Sequence, residues 1–158
     1  MVTAYDFPSA VHVARAGIDV VLMGDSAAMV EMGFATTQPI DVDQMIWHCA
    51  SVKRGLDFAA STTNGSSENY SSPLLVGDMP FGSYEFEDSD VALRNAYRFV
   101  KEGGVDAVKL EVRSGARVLR KNNVCRKLYY WLMFSHNDIV CVCTREEVLH
   151  AHARPKRL

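Results

Sequence analysis

Apolar positions along the chain fall into two kinds of run that alternate. Ile18–Met23, Pro73–Val76 and Ala107–Leu110 are continuous and rich in branched residues, the mark of strands buried on both faces. Between them apolar residues recur at helical spacing. Val42, Met45, Ile46 and Cys49 form one stripe, and Val91, Leu93, Ala96, Phe99 and Val100 another. Val2–Tyr5 is a short β-prone start. Asp6 is a candidate N-cap, with Pro8 in the first turn, for a helix through Ala16 that Gly17 ends. Asp41 caps the next helix and Gly55 closes it. Asp88 or Ser89 caps a third, which ends at Gly103-Gly104. Residues 27–40 read as a loop with a short helical turn. Residues 59–72 are polar and low in complexity, and read as a surface loop. The order is strand, helix, strand, helix, strand, helix, strand. Such alternation predicts a parallel sheet with crossover helices, and fits a barrel and an open doubly wound sheet alike.

The rhythm breaks after Glu111. Residues 113–127 are basic and weakly patterned, Leu128–Phe134 is a dense aromatic run, and only Ile139–Val142 reads as a strand. Charge breaks at the same place. Residues 1–111 carry 7 Lys+Arg against 16 Asp+Glu, and residues 112–158 carry 10 against 3. Three of the four cysteines, Cys125, Cys141 and Cys143, lie in this second part. The division is therefore 1–111 as a partial α/β unit and 112–158 as a divergent basic tail. A length of 158 residues suits one domain and is short of the roughly 250 of a complete (β/α)₈ barrel.

Composition removes several classes. The formal charge of −2 gives no electrostatic case for nucleic acid, and the tail, though basic, has no regular basic stripe. No apolar run approaches the ~20 residues of a membrane span. No CxxC pair exists, and the cysteines read as reduced thiols. The start lacks the marks of a signal or transit peptide. His12 and His48 read as surface residues of helices.

Asp25, Asp78 and Glu111 each stand where an apolar strand runs out, the end at which parallel α/β folds bind ligands. One acid there is simply a loop cap. Three at successive strand ends favour a hard cation such as Mg²⁺ or Mn²⁺. Lys109 and Glu111 are two apart in a strand and share a face. Lys109 reads either as one half of a structural ion pair or as the group that holds a substrate carboxylate or enolate oxygen. Ser26 follows Asp25 and could donate to the same ligand.

These residues carry a resemblance. Thr3-Ala-Tyr-Asp, Ala16-Gly-Ile-Asp, Gly24-Asp-Ser, Thr36-Thr, Gly77-Asp-Met-Pro-Phe-Gly-Ser-Tyr-Glu and Asp106-Ala-Val-Lys-Leu-Glu are similar, in order and spacing, to ketopantoate hydroxymethyltransferase. The polar stretch near Asn64 looks like the insertion of plant-type members. The resemblance implies a TIM barrel of the phosphoenolpyruvate/pyruvate-binding kind, present here as its front half. It implies transfer of a hydroxymethyl unit from 5,10-methylenetetrahydrofolate to 3-methyl-2-oxobutanoate, in pantothenate synthesis. It implies a Mg²⁺ site at Asp25, Asp78 and Glu111, and a keto-acid site at Asp25, Ser26, Asp78 and Lys109. It further implies a homo-oligomer in the complete family and, from plant-type members, a mitochondrial location. The family's general base is a Glu on a later strand, and a His sits in a Gly-His-Val-Gly-Leu motif. Neither motif is present. The expectation is a truncated chain of weak or no activity, or a non-enzymatic form that binds metal or keto acid or joins full-length subunits.

Overall fold

The computed structural model describes residues 1–62, 72–84, 89–113, 133–135 and 138–144. The elements run β1 (Val2–Thr3), α1 (Phe7–Arg15), β2 (Val20–Met23), α2 (Ala27–Val30), α3 (Val42–Thr62), β3 (Leu74–Asp78), α4 (Ser89–Lys101), β4 (Ala107–Arg113), β5 (Met133–Ser135) and β6 (Asp138–Thr144).

Helix starts follow from local chemistry. Asp6 caps α1: its carboxylate accepts from Ser9 N at 2.8 Å, and Ser9 Oγ accepts from Asp6 N at 3.2 Å. Asp41 and Gln44 repeat this exchange at the head of α3, at 2.8 and 3.0 Å. Both pairs satisfy amides that a helix start leaves unpaired. The bonds from Ser9 hold the Asp6 carboxyl below its ordinary value. We expect Asp6→Ala to cost about 1 kcal/mol, measured by urea unfolding. Because the folded value is depressed, the cap's contribution is present above the unfolded carboxyl value and fades as pH falls through the folded one. A cost that persists undiminished at pH 2 would refute this account of the cap.

Gly55 does not close α3, which continues to Thr62. A Cβ on Gly55 would lie 2.6 Å from Phe7 O and 2.8 Å from Ala10 Cβ. This glycine lets α1 and α3 cross closely. The first residues of the expected surface loop, 59–62, are thus helical, and the rest of it lies outside the described residues, as does Asp88. Gly17 and Gly104 do follow helix ends, with φ of 73° and 71°.

Strands β1, β2, β3 and β4 are parallel neighbours in sequence order. A doubly wound sheet reverses direction at a switch point, and none occurs across these four. One face of the sheet packs under α1, α3 and α4. Val21, Met23, Leu75 and Val108 are fully buried there with Cys49, Val52, Leu56 and Phe99, each large apolar side chain contributing on the order of 1.5–3 kcal/mol. Gly77 lies beneath this layer, where a Cβ would meet Phe99 at 2.8 Å. Asp106 fixes the β3–β4 register, accepting from Leu75 N at 2.9 Å and donating its own amide to Leu75 O at 2.8 Å. The opposite face, the interior of a closed barrel, carries Leu22, Val76, Asp78, Lys109 and Glu111, by strand alternation and register. The α/β architecture is that of a partial TIM barrel.

β4 is longer than the apolar run implied, continuing through Glu111 to Arg113. Its far edge is not extended by a parallel strand. β6 pairs with it antiparallel over seven residue pairs, from Ala107↔Thr144 to Arg113↔Asp138, and β5 lies outside β6. Among the described residues, the segment after Arg113 thus adds strands but no further parallel one.

Candidate functional site

The end of β3 and the middle of β4 bring three charged groups together. Asp78 and Lys109 are direct neighbours in the parallel ladder, so their side chains rise from the same face. Lys109 Nζ donates to Asp78 Oδ2 and to Glu111 Oε1, each at 2.5 Å. The environments are graded. The Asp78 side chain is 3% exposed, Lys109 13% and Glu111 50%. Burial pushes the Asp78 carboxyl above the usual carboxylate range; the Lys109 ammonium opposes the rise, and the charges of Asp25 and Glu111 add to it. Burial works against the Lys109 ammonium as well, but Asp78 and Glu111 outweigh it and hold its pKa above the ordinary lysine value. Each ion pair thus joins a buried group to a more open one, and the whole faces the rim where the parallel strands end.

Asp25 and Ser26 occupy the neighbouring strand end, after β2 and Gly24. They open α2, with Ala28 N donating to Asp25 O at 3.0 Å. Asp25 lies close enough for its charge to act on Asp78. The Ser26 hydroxyl shares a hydrogen bond of 3.0 Å with that of Tyr5. Among the described residues, no three of His, Cys, Asp and Glu are gathered into a set that would hold a metal ion. The positive charge between Asp78 and Glu111 is the Lys109 ammonium.

Three further residues support the site, none of them assigned a role from sequence. Tyr5 reaches Ser26, and its own amide is held by Ser9 Oγ at 3.1 Å. His48 is not a surface residue: it is buried, and its Nδ1 donates to Tyr5 O at 2.7 Å. Tyr84 bonds the backbone of Glu111. Tyr5 and Tyr84 stand inside the quoted motifs, but their partners are 21 and 27 residues away, beyond any local spacing rule. His12 is exposed, as expected. Cys49 is a free, buried thiol that burial pushes far above its ordinary pKa. The side chains of Cys125, Cys141 and Cys143 lie outside the described residues. Among those residues no helix is long and apolar enough to cross a membrane.

The sequence model of ketopantoate hydroxymethyltransferase matches residues 1–125, which takes in the whole of this site and runs past Glu111. The chain is 51% identical over 118 residues to "3-methyl-2-oxobutanoate hydroxymethyltransferase 1, mitochondrial" of Arabidopsis thaliana, an overlap covering 75% of this chain and 30% of that protein. It is 52% identical over 118 residues to the Oryza sativa subsp. japonica protein of the same name, covering 75% and 28%. A bacterial relative, "3-methyl-2-oxobutanoate hydroxymethyltransferase" of Alkaliphilus metalliredigens, is 46% identical over 110 residues, covering 70% and 34%. The chain thus spans roughly a third of the length of the curated relatives it matches. The matched residues take in β1–β4 and every charged residue just described, and by this match the chain belongs to the ketopantoate hydroxymethyltransferase family.

Proposed function

We propose that the rim formed by Asp25, Ser26, Asp78, Lys109 and Glu111 binds a 2-oxo acid with a divalent cation, as the keto-acid face of a 3-methyl-2-oxobutanoate hydroxymethyltransferase. The observation that carries this reading is the buried Asp78, at the end of β3, joined to Lys109 and Glu111 of its parallel neighbour β4. The donor set suits Mg²⁺ in type: three carboxylates against one ammonium leave two negative charges, and hard oxygen ligands are what that ion takes. To hold it, Asp25, Asp78 and Glu111 would have to draw together from the positions described above, with the Lys109 ammonium giving way between the last two, and once bound it would supply a Lewis acid for the keto oxygen.

The chain's own groups do the rest. Lys109 has an ammonium with three donors, two of them engaged by carboxylates, which leaves one for a substrate carboxylate or an enolate oxygen. Ser26, steadied by Tyr5, donates its hydroxyl to the same ligand. Buried Asp78 keeps the ammonium pointed at the rim and dry on one side, which strengthens its field. Removal of the proton beside the ketone needs a base within about 3 Å. Every carboxylate of this rim is engaged with Lys109 or assigned to the cation by this proposal, so none is given that task.

The antiparallel β6 favours a second part to this reading. It occupies the β4 edge where a barrel's next parallel strand would add. We therefore infer binding of cation and keto acid with turnover at least ~10²-fold below a full-length relative, the lower bound for losing a general base. The folate co-substrate, 5,10-methylenetetrahydrofolate, belongs to the same proposal. So do self-association, checked by light scattering on the purified chain, and a mitochondrial location like that in the plant relatives' names, checked by cell fractionation.

The experiment is titration of the purified chain with 3-methyl-2-oxobutanoate, with and without Mg²⁺, followed by NMR. Turnover with methylenetetrahydrofolate is measured beside a full-length relative. Expected are Mg²⁺-dependent shifts at Ser26, Asp78 and Lys109, and slow or undetectable turnover. No shifts at those residues with Mg²⁺ present would overturn the site, and turnover within about tenfold of the relative would overturn the missing-base inference.

A further inference from the structure

β3 and β4 part company at the site. The chain leaves β3 at Met79-Pro80, and Met79 N makes a last ladder bond to Lys109 O at 3.0 Å. β4 runs on to Arg113. Glu111, two residues beyond Lys109, turns its N–H and C=O toward the same vacated edge. Buried backbone groups at such an edge need partners.

A single hydroxyl supplies both. Tyr84 Oη donates to Glu111 O at 3.0 Å and accepts from Glu111 N at 3.2 Å. Among uncharged side chains, a hydroxyl is suited to this because it combines one donor with two acceptor sites on one atom. Tyr84 is 5% exposed and its base is anchored. It follows a turn in which Ser83 N donates to Pro80 O at 3.1 Å and Gly82 takes a φ of 84°. From α4, Asn95 Nδ2 donates to Ser83 O at 2.8 Å. A line of bonds thus runs from α4 through the turn to the backbone of Glu111.

We propose that Tyr84 is a positioning residue: its hydroxyl stands in for the strand that β3 no longer provides, and so fixes Glu111, and through it the head of Lys109, at the rim. The importance of that position for ligands rests on the cation and keto-acid reading above; the clamp itself does not.

The test uses the full chain and the variant Tyr84→Phe, which keeps the ring and removes the hydroxyl. Amide hydrogen exchange at Glu111 is expected to quicken by about tenfold or more, while Val21 and Val108 exchange as before. Asn95→Ala, which loosens the turn and spares the hydroxyl, is expected to shift the same amide in the same direction by less. The second readout is Mn²⁺ affinity, followed by relaxation enhancement. Tyr84→Phe should weaken it several-fold in the native background and leave it unchanged in a Glu111→Gln background, because the hydroxyl acts through that carboxylate. An unchanged Glu111 amide in both variants would overturn the proposal. So would an equal loss of Mn²⁺ affinity in both backgrounds, the mark of a general structural role. A native chain that binds no Mn²⁺ would sink the cation reading instead, and the exchange at Glu111 then decides for or against the clamp alone.

Discussion

Lys109→Met is expected to destabilise the protein by about 3–5 kcal/mol on the alkaline side of neutrality, the range for breaking a buried ion pair by removing one partner. The size comes from Asp78. Its side chain is 3% exposed, and without the ammonium it would be a buried charge with no counter-charge. The carboxyl can escape only by taking up a proton, since burial already raises its pKa and Asp25 and Glu111 push the same way. A carboxyl whose folded pKa is raised costs stability above its unfolded value, about 4, and costs nothing below it. That cost is common to parent and variant up to about 7, where the parent's carboxyl ionises, so the penalty of Lys109→Met is expected to grow as pH rises above 7 and to shrink as pH falls back toward it. Asp78→Asn combined with Lys109→Met should recover most of it, because the coupled pair then leaves no charge behind. Glu111→Gln, at a half-exposed position, should cost within about 1 kcal/mol. Urea unfolding of the four proteins at several pH values measures all of this. A Lys109→Met protein within about 1 kcal/mol of the parent throughout the alkaline range would mean that Asp78 is solvated.

Gly55→Val is the other large expected effect. A Cβ at this position meets the Phe7 carbonyl at 2.6 Å and Ala10 Cβ at 2.8 Å. Neither is the end of a flexible side chain, so relief requires α1 and α3 to move apart. Overpacking of this kind costs typically 1–3 kcal/mol and sometimes more, and valine adds two methyl groups beyond the Cβ. Gly17→Ala is the contrast: its Cβ meets nothing within 4 Å, and only its φ of 73° opposes a side chain, about 1–2 kcal/mol. The expected order of melting temperatures is parent, Gly17→Ala, Gly55→Val. A Gly55→Ala protein more stable than the parent would show that alanine's better helix propensity outweighs a contact looser than described.

The sequence was most informative where one physical rule acted alone. The apolar runs at Ile18–Met23, Pro73–Val76 and Ala107–Leu110 mark β2, β3 and β4 because burial on both faces leaves no room for polar alternation. Asp6 and Asp41 mark helix starts because the cap is a local bond. Asp78, Lys109 and Glu111 could be grouped because strand ends and strand parity are both countable. Gly55 was misread because a glycine at a helix crossing and a glycine ending a helix look the same without the neighbouring helix. His48 was misread because its partner is the backbone of Tyr5, which any sequence supplies. β4 outran its apolar run because pairing with β6, not burial, keeps Glu111–Arg113 extended. The direction of β6 was not legible at all, since an apolar run carries no sign of polarity.

That polarity decides which end of β6 faces the rim. In a parallel ring every strand delivers its following loop to the same rim, and each loop can donate a group to one centre. β6 runs the other way. Its first residue pairs with Arg113, beyond the ligand rim, and its last, Thr144, pairs with Ala107, about 13 Å down the strand from Glu111 at ~3.3 Å per residue. β6 therefore ends at the floor of the sheet. The antiparallel pairing reverses the polarity of this edge, so the end of β6 that lies beyond Glu111, toward the rim, is its first residue, Asp138, and not its last.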